Sequence, residues 1–172
     1  MEQIIDNRPL KYQGCAIVLQ EVPDEITLAF NISGCPHHCE GCHSQNLWEY
    51  KGNILKDEIK SVINRYEEYI TCVCFMGGDQ NIGELKELCK LIKNSYKLKT
   101  CIYSGENIID KFKVFFDGKL LDYLKIGEYD KSLGGLNCKN TNQKMYEIKN
   151  NQIQDITYKF QRKKDDALAS DN

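Results

Sequence analysis

Gly34-Cys35-Pro36-His37-His38-Cys39-Glu40-Gly41-Cys42-His43 is the stretch on which the reading of this chain turns. Three thiols fall within one short loop at CxxxCxxC spacing, and a histidine follows at once. Thiolates gathered in this way wrap a soft metal centre, and iron–sulfur clusters are commonly held by cysteines in tight runs. A cubane has one more iron than this loop has cysteines, so one corner is left for a distant residue or for a small-molecule chelator. Two other readings use the same residues. Cys35, Cys39 and Cys42 with His37, His38 or His43 make a closed tetrahedral zinc site, or structural cysteines cluster here by chance. Ordinary zinc modules pair two CxxC-like units across a longer stretch, and no second unit of that kind is present.

Working outward, Ile26-Thr27-Leu28-Ala29-Phe30-Asn31-Ile32 is an apolar run that delivers the loop at Ser33-Gly34. Ala16-Ile17-Val18-Leu19 precedes it, with the turn signal Pro23-Asp24 between, which predicts a hairpin or two neighbouring strands. Beyond the loop, Leu55, Ile59, Val62, Ile63 and Tyr66 recur at helical spacing with Lys56, Lys60 and Glu67 off that face. Thr71–Met76 is a continuous apolar strand ending at Gly77-Gly78-Asp79. A second helix carries Ile82, Leu85, Leu88, Cys89 and Ile92. The strand Lys99–Tyr103 then ends at Ser104-Gly105. A third helix is expected over Ile108, Ile109, Phe112, Phe115 and Phe116, and a strand over Leu121–Ile126 ends at Gly127. Tyr129–Asn142 is polar and irregular. Gln143–Ile148 and Ile153–Tyr158 read as a hairpin around Asn150-Asn151. The alternation βαβαβαβ predicts an α/β fold with a mostly parallel sheet and right-handed crossovers. Residues 1–160 are expected to form a single domain, and 161–172 a frayed tail.

The totals bound the function. A net charge of −2 over 172 residues gives no electrostatic case for nucleic acid or a membrane surface. No apolar run reaches the length of a transmembrane helix. Met1–Asp6 lacks the basic and apolar regions of a signal peptide, so a reducing, cytoplasmic location is expected. In that setting an odd count of nine cysteines is not a disulfide framework. Cys72, Cys74, Cys89 and Cys101 fall on apolar positions and are expected to pack as small hydrophobes.

The loop, Gly77-Gly78-Asp79, Ser104-Gly105 and Gly127 all stand where a predicted strand finishes. In a parallel sheet those ends lie side by side, and ligands favour that edge. Small residues there let backbone approach a ligand closely. Each feature also has a plain reading: Gly-Gly-Asp is a common turn, and His37 and His38 read as solvated loop residues. His43 is either a donor to a cluster sulfur or a packed ring. Asp122 reads as a satisfied strand-end carboxylate, and Trp48 and Tyr50 as core packing.

Taken together, the CxxxCxxC loop and the Gly-Gly-Asp strand end resemble the radical S-adenosylmethionine (SAM) enzymes. Within them the chain is similar to the activating proteins of anaerobic ribonucleoside-triphosphate reductases. The resemblance runs from about Ile26 to Gln143. It includes Ile32-Ser33-Gly34-Cys35, Gly41-Cys42-His43, Met76-Gly77-Gly78-Asp79, Tyr103-Ser104-Gly105, Asp122-Tyr123-Leu124 with Gly127, and Thr141-Asn142-Gln143. It implies a trimmed partial (β/α) barrel and a [4Fe–4S] cluster on Cys35, Cys39 and Cys42. SAM would chelate the open iron and be cleaved reductively to a 5′-deoxyadenosyl radical, which generates a glycyl radical on the partner reductase. It further implies that Gly77, Gly78 and Asp79 hold the methionine end, with Asp79 on the ammonium. Gly41, Cys42 and His43 would lie against the adenine, and Ser104 and Asn142 would bond the ribose or carboxylate. A one-electron donor such as flavodoxin is the implied second partner. The alternatives are an activator of another glycyl radical protein, a small radical SAM enzyme with a small-molecule substrate, or a zinc-stabilised binding module.

Overall fold

The computed structural model describes residues 8–161. Met1–Asp6, read for a signal peptide, and the expected tail from residue 162 onward lie outside the described residues. The strands are β1 (Lys11–Val18), β2 (Thr27–Ile32), β3 (Asn53–Ile54), β4 (Cys72–Met76), β5 (Lys99–Tyr103), β6 (Tyr123–Ile126), β7 (Lys144–Lys149) and β8 (Gln152–Asp155). They form one sheet in the order β3-β1-β2-β4-β5-β6-β7-β8. The helices are α1 (Leu55–Tyr66) and α2 (Ile82–Ser95).

The parallel sheet expected from the sequence is the core of a mixed one. β2, β4, β5 and β6 are mutually parallel. Antiparallel pairings flank them, β3–β1–β2 on one side and β6–β7–β8 on the other. The order ends at β3 and at β8, and closure into a barrel is not part of it. A tight turn joins β7 to β8, while a longer irregular segment joins β6 to β7. Asn150 and Asn151 both take positive φ, which suits the two-residue turn between β7 and β8.

Alternation along the strands sorts the two faces. Phe30, Phe75, Ile102 and Leu124 are register partners across the four parallel strands. They pack in one core with Leu55, Ile59 and Ile63 of α1 and Leu85, Cys89 and Ile92 of α2. One residue earlier on each strand, Ala29, Cys74, Cys101 and Tyr123 form the next row on the opposite face. There they meet Val22, Leu136, Met145 and Ile156 from the loops and the C-terminal hairpin. Cys72, Cys74, Cys89 and Cys101 are fully buried, as their apolar settings required.

The third helix is a 3₁₀ segment, Ile109–Phe115, rather than an α-helix. Ile109, Phe112 and Phe115 repeat every three residues, which is the 3₁₀ period. That period turns both Phe112 and Phe115 inward, and both are fully buried, whereas Ile108 is exposed. The turn from β4 into α2 is closed by Asn81, whose side chain accepts the Glu84 N–H at 3.0 Å. At Gly78 φ is +107°, and an added Cβ would stand 2.8 Å from Leu85 Cδ1, so only glycine makes this turn against the helix.

Phe75 lies in the middle of the helix-side row, its ring 6.3 Å from that of Phe30. Replacing Phe75 with Ala is expected to cost about 3–5 kcal/mol, read as the shift in the urea midpoint at unchanged slope.

Candidate functional site

The parallel register carries one row further. Asn31 pairs with Met76, Met76 with Tyr103, and Tyr103 with Lys125. These four are the last residues of their row at the carboxyl ends of β2, β4, β5 and β6. All four line one cavity of about 330 Å³. The cysteine loop forms its other wall, with Cys35, His37, Cys39, Cys42 and His43. Gly77, Asp79, Ser104, Gly105 and Gly127 complete the strand-end rim.

The loop starts from a fixed point. Gly34 and Cys35 both donate their backbone N–H to the Leu47 carbonyl, at 2.7 and 3.1 Å. Gln80 Nε2 holds the Ser33 carbonyl at 2.8 Å. Further on, Ser44 N–H donates to Cys42 Sγ at 3.3 Å. Burial pushes the Cys35 thiol up in the metal-free protein. All three loop cysteines are free thiols, partly exposed on the cavity side.

Asp79 is the most enclosed charge at the rim, its side chain 2 % exposed. Ser104 Oγ donates to Oδ1 at 2.5 Å, and His37 Nε2 and the Gly105 N–H donate to Oδ2 at 3.0 and 3.2 Å. Burial by itself would raise the Asp79 carboxyl, but these donors outweigh it and hold it below its ordinary range. The same contact holds His37 above its ordinary value. His37 is therefore a half-buried hydrogen-bond partner of Asp79 and not the solvated loop residue expected of it. His38 is exposed, but its ring stacks on Trp48 at 4.8 Å.

Lys125 escaped the sequence reading, because a lysine in a strand reads as solvent-facing. It is 8 % exposed, and its ammonium donates to the carbonyls of Gly127 at 2.6 Å and Ser104 at 3.3 Å. Burial lowers its pKa from 10.5 to about 8. The signal that could have found it is register: it is the terminal residue of the row below which Tyr123 lies.

Other expected residues are placed as follows. Gly41, Gly78 and Asn142 are not on the cavity wall. Gly41 sits at φ +75° under the Lys131 side chain, and His43 packs on Tyr129 with ring centres 5.6 Å apart, so the irregular 129–142 stretch covers the loop. Asn142 donates to the Glu128 carbonyl at 3.0 Å and leaves its Oδ1 buried without a partner. Its neighbour Gln143 is the one that reaches the cavity. Asp122 is satisfied by Lys93 and by the Thr100 N–H at 2.8 Å.

The donor set suits a cluster better than a single ion. Among the described residues no three His, Cys, Asp or Glu side chains stand close enough together to hold one metal ion. The three thiols instead face a shared space with room for a larger group. Beside them stand one buried carboxylate and one buried ammonium, which can receive the two charged ends of an amino acid.

Fold and site together define an iron–sulfur domain of the radical SAM type. The family described as a 4Fe–4S single cluster domain matches residues 26–153, and the chain belongs to it. Curated relatives are similar over much of that span. One is the anaerobic ribonucleoside-triphosphate reductase-activating protein of bacteriophage T4, 27 % identical over 70 % of this chain and 74 % of the relative. Others are the proteins of that name from Escherichia coli K12 and Salmonella typhimurium, each 25 % identical over 55 % of this chain and 74 % of the relative. No solved structure matches the chain significantly. No helix among the described residues is long and apolar enough to cross a membrane.

Because the folded-state pKa of Lys125 is depressed, the unfolded chain binds more protons than the native one between about pH 8 and 10.5. Stability therefore gains a favourable contribution as pH rises through that window. Lys125→Met is expected to abolish this gain. The check is denaturant unfolding of both metal-free proteins across the window; parallel pH curves would contradict the burial of this ammonium.

Proposed function

We propose that the chain is a radical SAM glycyl-radical activating enzyme, and that its partner is an anaerobic ribonucleoside-triphosphate reductase. The observation that carries this is the convergence on one cavity of Cys35, Cys39 and Cys42 with Asp79 and Lys125. The similarity to activating proteins of such reductases supports the choice of partner. On this reading the sheet is the trimmed partial (β/α) barrel of the radical SAM type, and the electron donor is a carrier such as flavodoxin.

When bound, the cluster and SAM would supply the one-electron reductive chemistry by which a hydrogen atom is removed from a glycine of the partner. The protein supplies binding, orientation and electrostatics. Cys35, Cys39 and Cys42 hold the cluster as thiolates. The Asp79 carboxylate receives the cofactor's ammonium beside the small residues Gly77 and Gly78, and Ser104 acts by orienting that carboxylate. Lys125 faces the cofactor's carboxylate. Backbone at Cys42 and His43 bounds the adenine, whereas Gly41 and Asn142 are neighbours of cavity-wall residues rather than part of the wall. Ile32, Leu47 and Met76 give the cavity apolar walls that limit water around a reactive centre.

The test is anaerobic. After cluster reconstitution, SAM and reductant should yield 5′-deoxyadenosine, and a glycyl radical should be seen by electron paramagnetic resonance only when the reductase is added. Cys39→Ala should lose both signals. A colourless protein that binds zinc and forms no 5′-deoxyadenosine refutes the reading. A protein that forms 5′-deoxyadenosine but no radical on the reductase retains the chemistry and refutes the partner.

A further inference from the structure

The stretch from Pro36 to Gly41 carries Cys39 and leads into Cys42, yet its backbone is held only locally, in part by the His37 and His38 N–H groups on the Cys35 thiol. Its one backbone–backbone hydrogen bond to another described residue is local, from the Cys42 N–H to the Cys39 carbonyl at 3.1 Å. The fixed points at Gly34 and Cys35 lie before it. What joins it to the rest of the fold is side-chain contact.

His37 makes the stronger of these contacts. Its ring reaches from the loop to the carboxylate at the end of β4, with Nε2 3.0 Å from Asp79 Oδ2. The ring lies close to Gly105, just past the end of β5. A Cβ built on Gly105 would stand 2.5 Å from His37 Cδ2 and 2.7 Å from Cγ. Gly105 is not among the positive-φ residues, so no backbone conformation calls for glycine at this position. The glycine is explained by the ring it accommodates. Asp79 is prepared for the contact by Ser104 and the Gly105 N–H, which fix both of its oxygens. The next residue clamps the loop a second time: His38 has φ +47° and stacks on Trp48 with 15° between the planes.

We propose that His37 is a positioning residue: it fastens the cysteine loop to the sheet through Asp79, on a seat left open by Gly105, and so holds the thiols where they retain the cluster. This rests on the cluster reading of the loop given above. Groups that orient metal ligands without touching the metal commonly matter to its retention.

The test follows iron loss from the anaerobically reconstituted protein to a coloured ferrous chelator, with thermal melting of each metal-free variant as a check on folding. His37→Ala removes the contact. Gly105→Ala displaces the ring while leaving His37, Asp79 and every thiol in the chain. Both are expected to lose iron about 10-fold faster than the parent. His37→Gln keeps an N–H donor of similar reach and is expected to lose iron at close to the parental rate. A purely steric role would instead make His37→Gln fail as His37→Ala does, and that result overturns the assignment. If the parent holds iron and neither His37→Ala nor Gly105→Ala releases it faster, the proposal falls while the cluster reading stands. If the parent takes up no iron, both fall.

Discussion

The register of the four parallel strands is the constraint on which this molecule rests. Side chains alternate between faces with a period of two, so a slip by one residue would exchange the two faces of a strand. In β6 such a slip would drive Lys125 among Phe75, Phe112 and Phe115 and bring Leu124 to the cavity. An unpaired ammonium in an apolar core is a large penalty. The helix-side row of Phe30, Phe75, Ile102 and Leu124 fixes the register by packing, and the terminal row of the opposite face is then fixed with it. The site inherits its geometry from the hydrophobic core.

Charge at the cavity is arranged against the usual preference of a protein interior. One carboxylate and one lysine are withdrawn from water within the same rim, each satisfied in a different way. Asp79 is held by His37 and two further donors, whereas Lys125 is held by the carbonyl dipoles of Gly127 and Ser104, with the Asp79 charge acting on it. Departures of this kind from local rules gather where a protein does chemistry. The rest of the fold keeps those rules. Glu25, another buried carboxylate, is fully engaged by Lys99, Thr71 and Tyr123 at the opposite end of the strands.

The sequence made the scaffold legible where hydrophobic period and punctuation agreed. β4 and β5 are apolar runs bounded by glycine, and α1 and α2 carry unbroken helical stripes. It misled where two periods coincide: Ile109, Phe112 and Phe115 satisfy a helical stripe but also a three-residue repeat, and packing selected the tighter winding. β1 begins at Lys11, well before its apolar run, because pairing with β2 and β3 supplies what side-chain burial does not. β3, two residues long, has too little sequence to carry a signal. The cysteines, Gly77, Asp79 and Ser104 were legible as strand-end chemistry. Lys125 and His37 were not, since their roles depend on partners distant in the chain: Gly127 and Ser104 for one, Asp79 and Gly105 for the other.

The central claim is that three cysteines hold an iron–sulfur cluster whose remaining corner is reserved for a small molecule. Mössbauer spectroscopy of protein reconstituted with iron-57 examines this directly. One iron of the cluster should differ from the other three, and its signal alone should move when SAM is added. Equivalent irons indifferent to SAM, or a protein that retains no iron at all, would contradict the account.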